Sequence, residues 1–257
     1  MGNGGIFGEI DAWISATALA ALMLCAWIAG WRTSRRQQSA EGEPPGEKFS
    51  DASFAVLALL VAFTFGMSLQ RHDQRRAMVV SESNSIGDFY TCATLLPEPG
   101  RTALQIAIRD YTKLHLHIAE IVHSGGDSTA SLAELDQRID VMTALVRESI
   151  ERGTPVAVPL TNTLNEVTSS KALRLFAIED RVPTSVIGLL FLSTILTMFL
   201  NGLRHGARGR SQYLGTISLV LLFGMVIYVI LDLNQPGRGL IRVSQLPMER
   251  LLATMKK

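Results

Sequence analysis

The chain has 257 residues and a formal net charge of +1, and charged residues make up 18% of it, against about 25% in an average soluble domain. Four windows contain no charged residue at all, and the mean hydropathy is positive at +0.25. This distribution excludes a single soluble core and indicates an integral membrane protein with an extramembrane part. Two cysteines, Cys25 and Cys92, are too few for a disulfide framework.

Three of the uncharged windows are long enough to cross a bilayer. They are Ala12–Trp31, Pro183–Leu203 and Ser211–Leu231, with 20, 21 and 21 residues, and a hydrocarbon core needs about 20 helical residues. No Lys or Arg precedes the first window, so it is predicted to be a span and not a cleaved signal peptide.

The window Phe54–Leu69 has only 16 residues, which leaves two interpretations. It is either a buried core helix or a span that belongs to a longer helix. No proline occurs from Phe49 to Leu96, and this favours one long helix that leaves the membrane and continues beyond it.

The remaining segments divide the chain into four parts. Residues 1–69 hold the first two spans and a Pro/Gly/Glu linker at 39–48, residues 183–232 hold the third and fourth spans, and 233–257 form a tail. Residues 70–182 form a helical insert, because its apolar residues recur at helical spacing and no stretch alternates as a strand does. The predicted stripes are Leu104, Ile108, Tyr111, Ile118 and Val122; Leu132, Leu135, Ile139, Met142 and Val146; and Leu160, Leu164, Val167, Leu175 and Ile178. The predicted fold class is therefore all-α, with four transmembrane helices.

Several function classes lack support in the sequence. The insert has no basic stripe with interleaved aromatic residues, which argues against nucleic-acid binding. His115 and His117 are two residues apart and so point to different helix faces; we expect solvated or interfacial histidines and no metal site. No nucleophile motif or phosphate-binding loop occurs, so we expect no catalytic residue, no cofactor and no enzyme activity.

The second window offers a candidate functional helix. Leu57, Val61 and Phe65 lie on one helix face, and polar and charged residues follow beyond it. An apolar belt followed by a charged ring fits a pore-lining helix in an oligomer; the alternative is that this face packs on neighbouring spans. The candidate constriction residues are Leu57, Val61, Phe65, Phe54 and Ser68, and the candidate mouth residues are Arg71, Arg75, Arg76, Glu82 and Asn84.

Three blocks of the sequence resemble the bacterial bestrophin-like membrane proteins. The first runs from Phe63 to Pro97 and includes Arg71, Arg75, Val79-Val80, Glu82, Asn84, Ile86-Gly87 and Leu95-Leu96. The second comprises Leu164-Asn165-Glu166, Lys171, Arg174 and Arg181-Val182-Pro183. The third comprises Asp232-Leu233-Asn234-Gln235-Pro236, Gly239, Ile241, Val243-Ser244-Gln245 and Pro247.

This resemblance implies four spans, a helical insert, and a pentameric ion channel in a bacterial inner membrane with its second helix around the pore. It further implies that the insert and both termini are cytoplasmic. The basic residues beside the spans do not decide the orientation, because they number seven on one side and eight on the other. The Trp-rich block of true bestrophins and their acidic calcium clasp are absent, so calcium gating is not expected.

Two functions follow as expectations. The first is a homo-oligomeric ion channel that passes anions, because Arg71, Arg75 and Arg76 at the pore mouth would concentrate them. The second is a non-conducting scaffold or sensor whose insert binds a protein partner. In the tail, Pro236-Gly237 should end the fourth helix and Pro247 should open a short helix, with residues 232–245 docked near Glu82–Gly87.

Overall fold

The computed structural model describes residues 11–37, 47–207, 213–237 and 239–255, and every regular element in these ranges is an α-helix. The predicted linker at 39–48 lies outside the described residues, apart from its last two, which begin a helix. The helices are α1 (Ala12–Gln37), α2 (Glu47–Thr94), α3 (Gly100–His123), α4 (Thr129–Glu151), α5 (Ala157–Glu179), α6 (Thr184–Ala207), α7 (Tyr213–Asn234) and α8 (Leu246–Thr254).

Four helices are long and apolar enough to cross a membrane, as the sequence predicted. The first, third and fourth spans correspond to α1, α6 and α7. The second belongs to α2, whose 48 residues extend over about 72 Å at 1.5 Å per residue, more than twice a hydrocarbon core of about 30 Å. The prediction of one long helix is therefore confirmed.

The chain divides into two compact units, one made of Met1–Arg71 and Arg181–Gln235, the other of His72–Asp180 and Pro236–Lys257. These boundaries fall close to the predicted insert at 70–182. The tail, which the sequence set apart, belongs with the second unit from Pro236 onward.

In the first unit, α1 and α6 cross at glycines. A Cβ on Gly202 would lie 2.2 Å from the carbonyl oxygen of Trp27, and one on Gly30 would lie 2.2 Å from that of Phe199. Only a hydrogen atom fits at such a crossing, so the glycines let the two backbones touch. At the entry to α6, the backbone N–H of Val182 donates to Oδ1 of Asn234 at 2.7 Å.

In the second unit, α3, α4 and α5 pack with the later part of α2 and with α8. Members of all three predicted stripes are buried there, among them Leu104, Met142 and Leu160. The stripe on α5 is buried only in its first half, since Leu175 and Ile178 are exposed by 36% and 38%.

Glycine conformation explains two of the connections between the helices of the second unit. The connections from α3 to α4 and from α4 to α5 contain Gly125 and Gly153, at φ values of 76° and 79°. This left-handed region is one that residues with a Cβ seldom adopt. In the tail, α7 ends at Asn234, and α8 begins at Leu246 with Pro247 in its first turn.

Candidate functional site

The face of α2 that the sequence singled out points mainly into its own chain. Leu57 and Ser68 are fully buried, Val61 is half-buried, and Phe65 is exposed by 37%. The ring of Phe54 stacks on that of Phe223 at a centroid distance of 6.4 Å. Leu57 and Ser68 therefore pack against their own chain and do not lie on an exposed face of α2.

A neighbouring face of α2 is the one left uncovered. Val56, Leu59 and Phe63 are exposed by 55%, 71% and 65%, and Gly66 continues the same row. Their spacing of three, four and three residues places them on one helix face. Sequence reasoning missed this row because both faces of a membrane span are apolar, and hydropathy cannot tell which one packs inward.

Two of the predicted mouth residues are also buried. Arg75 is 4% exposed, and it donates from Nε to the carbonyl oxygen of Ala177 at 3.0 Å and from Nη2 to that of Asp180 at 2.9 Å. These carbonyls close the C-terminal end of α5, where a cation is stabilised by the helix dipole. Glu82 is fully buried. Neither charge is presented to solvent.

The other predicted mouth residues lie nearer the surface. Arg71 is half-buried, whereas Arg76 and Asn84 are exposed. In the second unit, Asn84 lies on the same exposed row of α2 as Asp73 and Asp88, and both of these carboxylates are exposed. The charges on this row are therefore negative, and Arg76 projects to one side of it.

Glu82 belongs to a buried polar network in the second unit. Arg174 of α5 donates from Nη1 to Oε2 of Glu82 at 2.5 Å and to Nδ1 of His115 at 3.2 Å. Its Nη2 donates to Oε1 of Gln245 in the tail at 3.1 Å. One guanidinium thus joins α2, α3 and the tail to α5.

His115 corrects the expectation of a solvated or interfacial histidine. It is 6% exposed, because it continues the buried face of α3 through Leu104, Ile108 and Tyr111 at helical spacing. Reading this face one turn further along the sequence would have found it. The Tyr111 ring packs edge-on against His115 at 4.8 Å.

The protonation state of His115 follows from its partners. Since an arginine can only donate, Nδ1 of His115 accepts, and the ring proton is on Nε2, which lies 3.1 Å from Oε1 of Glu82. Burial, and then the positive charges of Arg174 and Lys171, hold the pKa of His115 well below its usual value. Burial also raises the pKa of Tyr111, and the Glu82 carboxylate adds to this effect.

A second buried cation of α5 also links helices of the second unit. Lys171, which is 7% exposed, forms an ion pair with Asp136 and so ties α5 to α4. Within the described ranges, no group of three or more His, Cys, Asp or Glu side chains could hold a metal ion. The Glu82–Arg174 pair is costly to break, because removing either partner would leave the other charge buried alone.

One end of the segment 232–245, which was predicted to dock near Glu82–Gly87, is tied to that region in the second unit, and further contacts come from the residues that follow it. Gln245 reaches Glu82 through Arg174. A Cβ on Gly87 would lie 3.3 Å from Cδ1 of Leu251 in α8, and the hydroxyl of Tyr90 donates to the carbonyl oxygen of Met255 at 3.3 Å. From Gln245 onward, the tail therefore packs on α2 and α5 within the second unit.

The chain has four candidate spans, and its second helix is far longer than a membrane is thick. Together with the helical unit that packs around the later part of that helix, these features define a class of α-helical membrane proteins. The family model described as Bestrophin-like domain matches residues 20–248, and the chain therefore belongs to the bestrophin-like family. This confirms the resemblance seen in the sequence.

The fold is shared with a solved structure. A crystal structure of a bacterial bestrophin homolog from Klebsiella pneumoniae, determined with a mutation, superposes with a TM-score of 0.68 at 14% sequence identity. The match covers 95% of this chain and 94% of that one. No curated protein matches the chain.

Proposed function

We propose that this protein is an oligomeric ion channel whose pore runs along the exposed face of α2. Family membership supports a channel fold. The observation that carries the proposal is the exposed row on α2, which is apolar through Val56, Leu59 and Phe63 and becomes polar at Asp73 and Asn84. A face that changes in this way suits a water-filled axis with an apolar neck.

Small residues on and beside this row favour close approach between copies of α2. Ala55, Ala62 and Gly66 are exposed, and apart from the backbone of its own helix no atom of the described residues lies within 4 Å of a Cβ built on Gly66. Small side chains let membrane helices pack closely around an axis. By resemblance, the oligomer is a pentamer; the mass of the purified protein in detergent, measured by light scattering, tests this number.

Leu59 and Phe63 are the proposed constriction. They are one helical turn apart, about 6 Å along the axis, and they are the most exposed large side chains on the row. Replacing both by alanine should widen a dewetted neck and raise single-channel conductance in planar bilayers. Leu221 of α7 is exposed by 68% and provides the matched control, because a lipid-facing Leu221→Ala change should leave conductance as it was.

The conducted ion depends on which charges face the axis. The family supports anions, and Arg76 is the exposed arginine beside the row; Asp73 and Asp88 on the row itself favour cations instead, since carboxylate rings select them. Reversal potentials under a salt gradient decide between the two. If Asp73→Asn moves the potential toward anions and Arg76→Gln does not move it, the protein is a cation channel.

The proposed location is a bacterial inner membrane, with the second unit and both termini in the cytoplasm. Reporters placed after Lys257 and at Gly126 should lie on one side, and a reporter at Gly42 on the other. If the reporters after Lys257 and at Gly126 lay on opposite sides, the chain would cross the membrane one time fewer than proposed.

The alternative is a membrane scaffold whose helical unit binds a protein. Leu173 and Phe176 of α5, exposed by 55% and 68%, could serve such a contact. If neither the wild type nor the Leu59/Phe63 double alanine variant conducts ions in planar bilayers, the scaffold is favoured over the channel.

A further inference from the structure

The second unit contains a cavity of about 170 Å³ that the channel proposal does not use. Its walls come from α2, α3, α4, α5 and the tail. The apolar lining includes Val79, Ile118, Val122, Leu132, Leu175 and Val243. An apolar cavity of about 150 Å³ can hold benzene, so this one has room for an apolar body of about six carbon atoms.

Charged side chains at the cavity are of one sign. Arg75 and Arg174 line it together with His123, Ser128 and Gln245. No Asp or Glu is among the described residues of the wall, and Glu82, the partner of Arg174, is not part of it. An apolar space with guanidinium groups at its edge attracts a molecule that has an apolar body and a negative group.

Arg174 retains hydrogen-bonding capacity. Three of its five N–H groups are used, two by Nη1 toward Glu82 and His115 and one by Nη2 toward Gln245. Within the described chain, its Nε–H and its second Nη2–H have no partner. Two donors on neighbouring nitrogens of a planar guanidinium match the two oxygens of a carboxylate.

The tail forms a fitted wall of the cavity. Gly237 has a φ of 79°, and a Cβ placed on it would lie 2.3 Å from Cγ1 of Val122. Both its backbone conformation and its contact therefore require glycine. Pro236 and Gly237 therefore pack closely against α3 where they form this wall of the cavity.

We propose that this cavity binds a small organic carboxylate, with its apolar body among the side chains of α2, α3 and α4 and its carboxylate on Arg174. Binding does not depend on ion conduction. One consequence rests on the proposed function: Arg174 also holds Glu82 of α2, so a bound ligand would act on the helix proposed to line the pore.

Fluorine NMR of the full chain in lipid nanodiscs tests the proposal, with hexanoate carrying a terminal trifluoromethyl group as the probe. The probe signal should broaden and shift with protein and not with empty nanodiscs. The matching alcohol should bind at least about tenfold more weakly, because it loses charge-assisted hydrogen bonds, and the matching ammonium should not bind.

Variants on one helix locate the site. Leu132→Phe fills the cavity and should weaken binding at least about tenfold, whereas Val141→Phe, at a position on α4 exposed by 51%, should leave it unchanged. Arg174→Lys keeps the charge without the planar pair of donors and should also weaken binding. Equal binding of carboxylate and alcohol, or equal behaviour of the Leu132 and Val141 variants, would overturn the proposal.

Discussion

The buried pair of Glu82 and Arg174 allows a quantitative test of what holds the second unit together. Replacing Arg174 by methionine leaves a fully buried carboxylate without its guanidinium partner. Loss of one member of a buried pair costs about 3–5 kcal/mol. Because the Arg174 side chain is 12% exposed, we expect a cost of about 3 kcal/mol in the free energy of opening. Glu82→Met should cost a similar amount, since it leaves the guanidinium buried.

The double variant should be far more stable than the sum of the single variants implies. Replacing both charges by methionine removes the uncompensated charge, and well-packed apolar replacements of buried pairs are often close to neutral. We expect a coupling free energy above about 2 kcal/mol. As a control, Arg152→Met breaks an exposed pair with Glu148 and should change stability by less than about 0.5 kcal/mol.

The assay must report on the second unit itself. All three tryptophans, Trp13, Trp27 and Trp31, lie in α1 of the first unit, so intrinsic fluorescence would miss it. Hydrogen exchange of the amides of α3 and α5, measured in detergent, gives the free energy of local opening. Additive single-variant effects, or single effects below about 1 kcal/mol, would refute the reasoning that the pair is a coupled buried unit.

Two further predictions concern a titrating group and a helix crossing. The pKa of His115 is depressed in the folded state, so the fold favours the neutral ring. The stability that this preference contributes is fully present above about pH 6.5, and it falls by up to about 1.4 kcal/mol per pH unit below that value. His115→Gln should reduce this acid loss in hydrogen exchange, whereas His117→Gln, at an exposed side chain, should retain it. Gly202→Ala should disrupt the fold and with it the tryptophan fluorescence of the native protein, because its Cβ would lie 2.2 Å from the Trp27 carbonyl oxygen. Gly188→Ala should fold as the wild type does, because apart from its own helix backbone no atom of the described residues lies within 4 Å of a Cβ built there.

The sequence by itself determined the four spans, the helical character of the segment between the second and third, and the unbroken course of the second helix. Windows without charge define spans, because a charged side chain in hydrocarbon is costly. Proline and glycine mark where helices end, and Gly125 and Gly153 lie in two of the connections for conformational reasons. The long α2 was predictable because nothing between Phe49 and Leu96 interrupts a helix.

Tertiary structure alone decided which face of α2 is covered and which charges are paired. Leu57 and Leu59 have the same side chain in the same span, yet one is fully buried and the other is exposed by 71%; a local pattern fixes the helical period but not the side on which neighbouring helices pack. Glu82 and Arg174 are 92 residues apart, and His115 reaches them from a third helix. Such a network depends on how the helices pack in space, and no spacing along the chain encodes it.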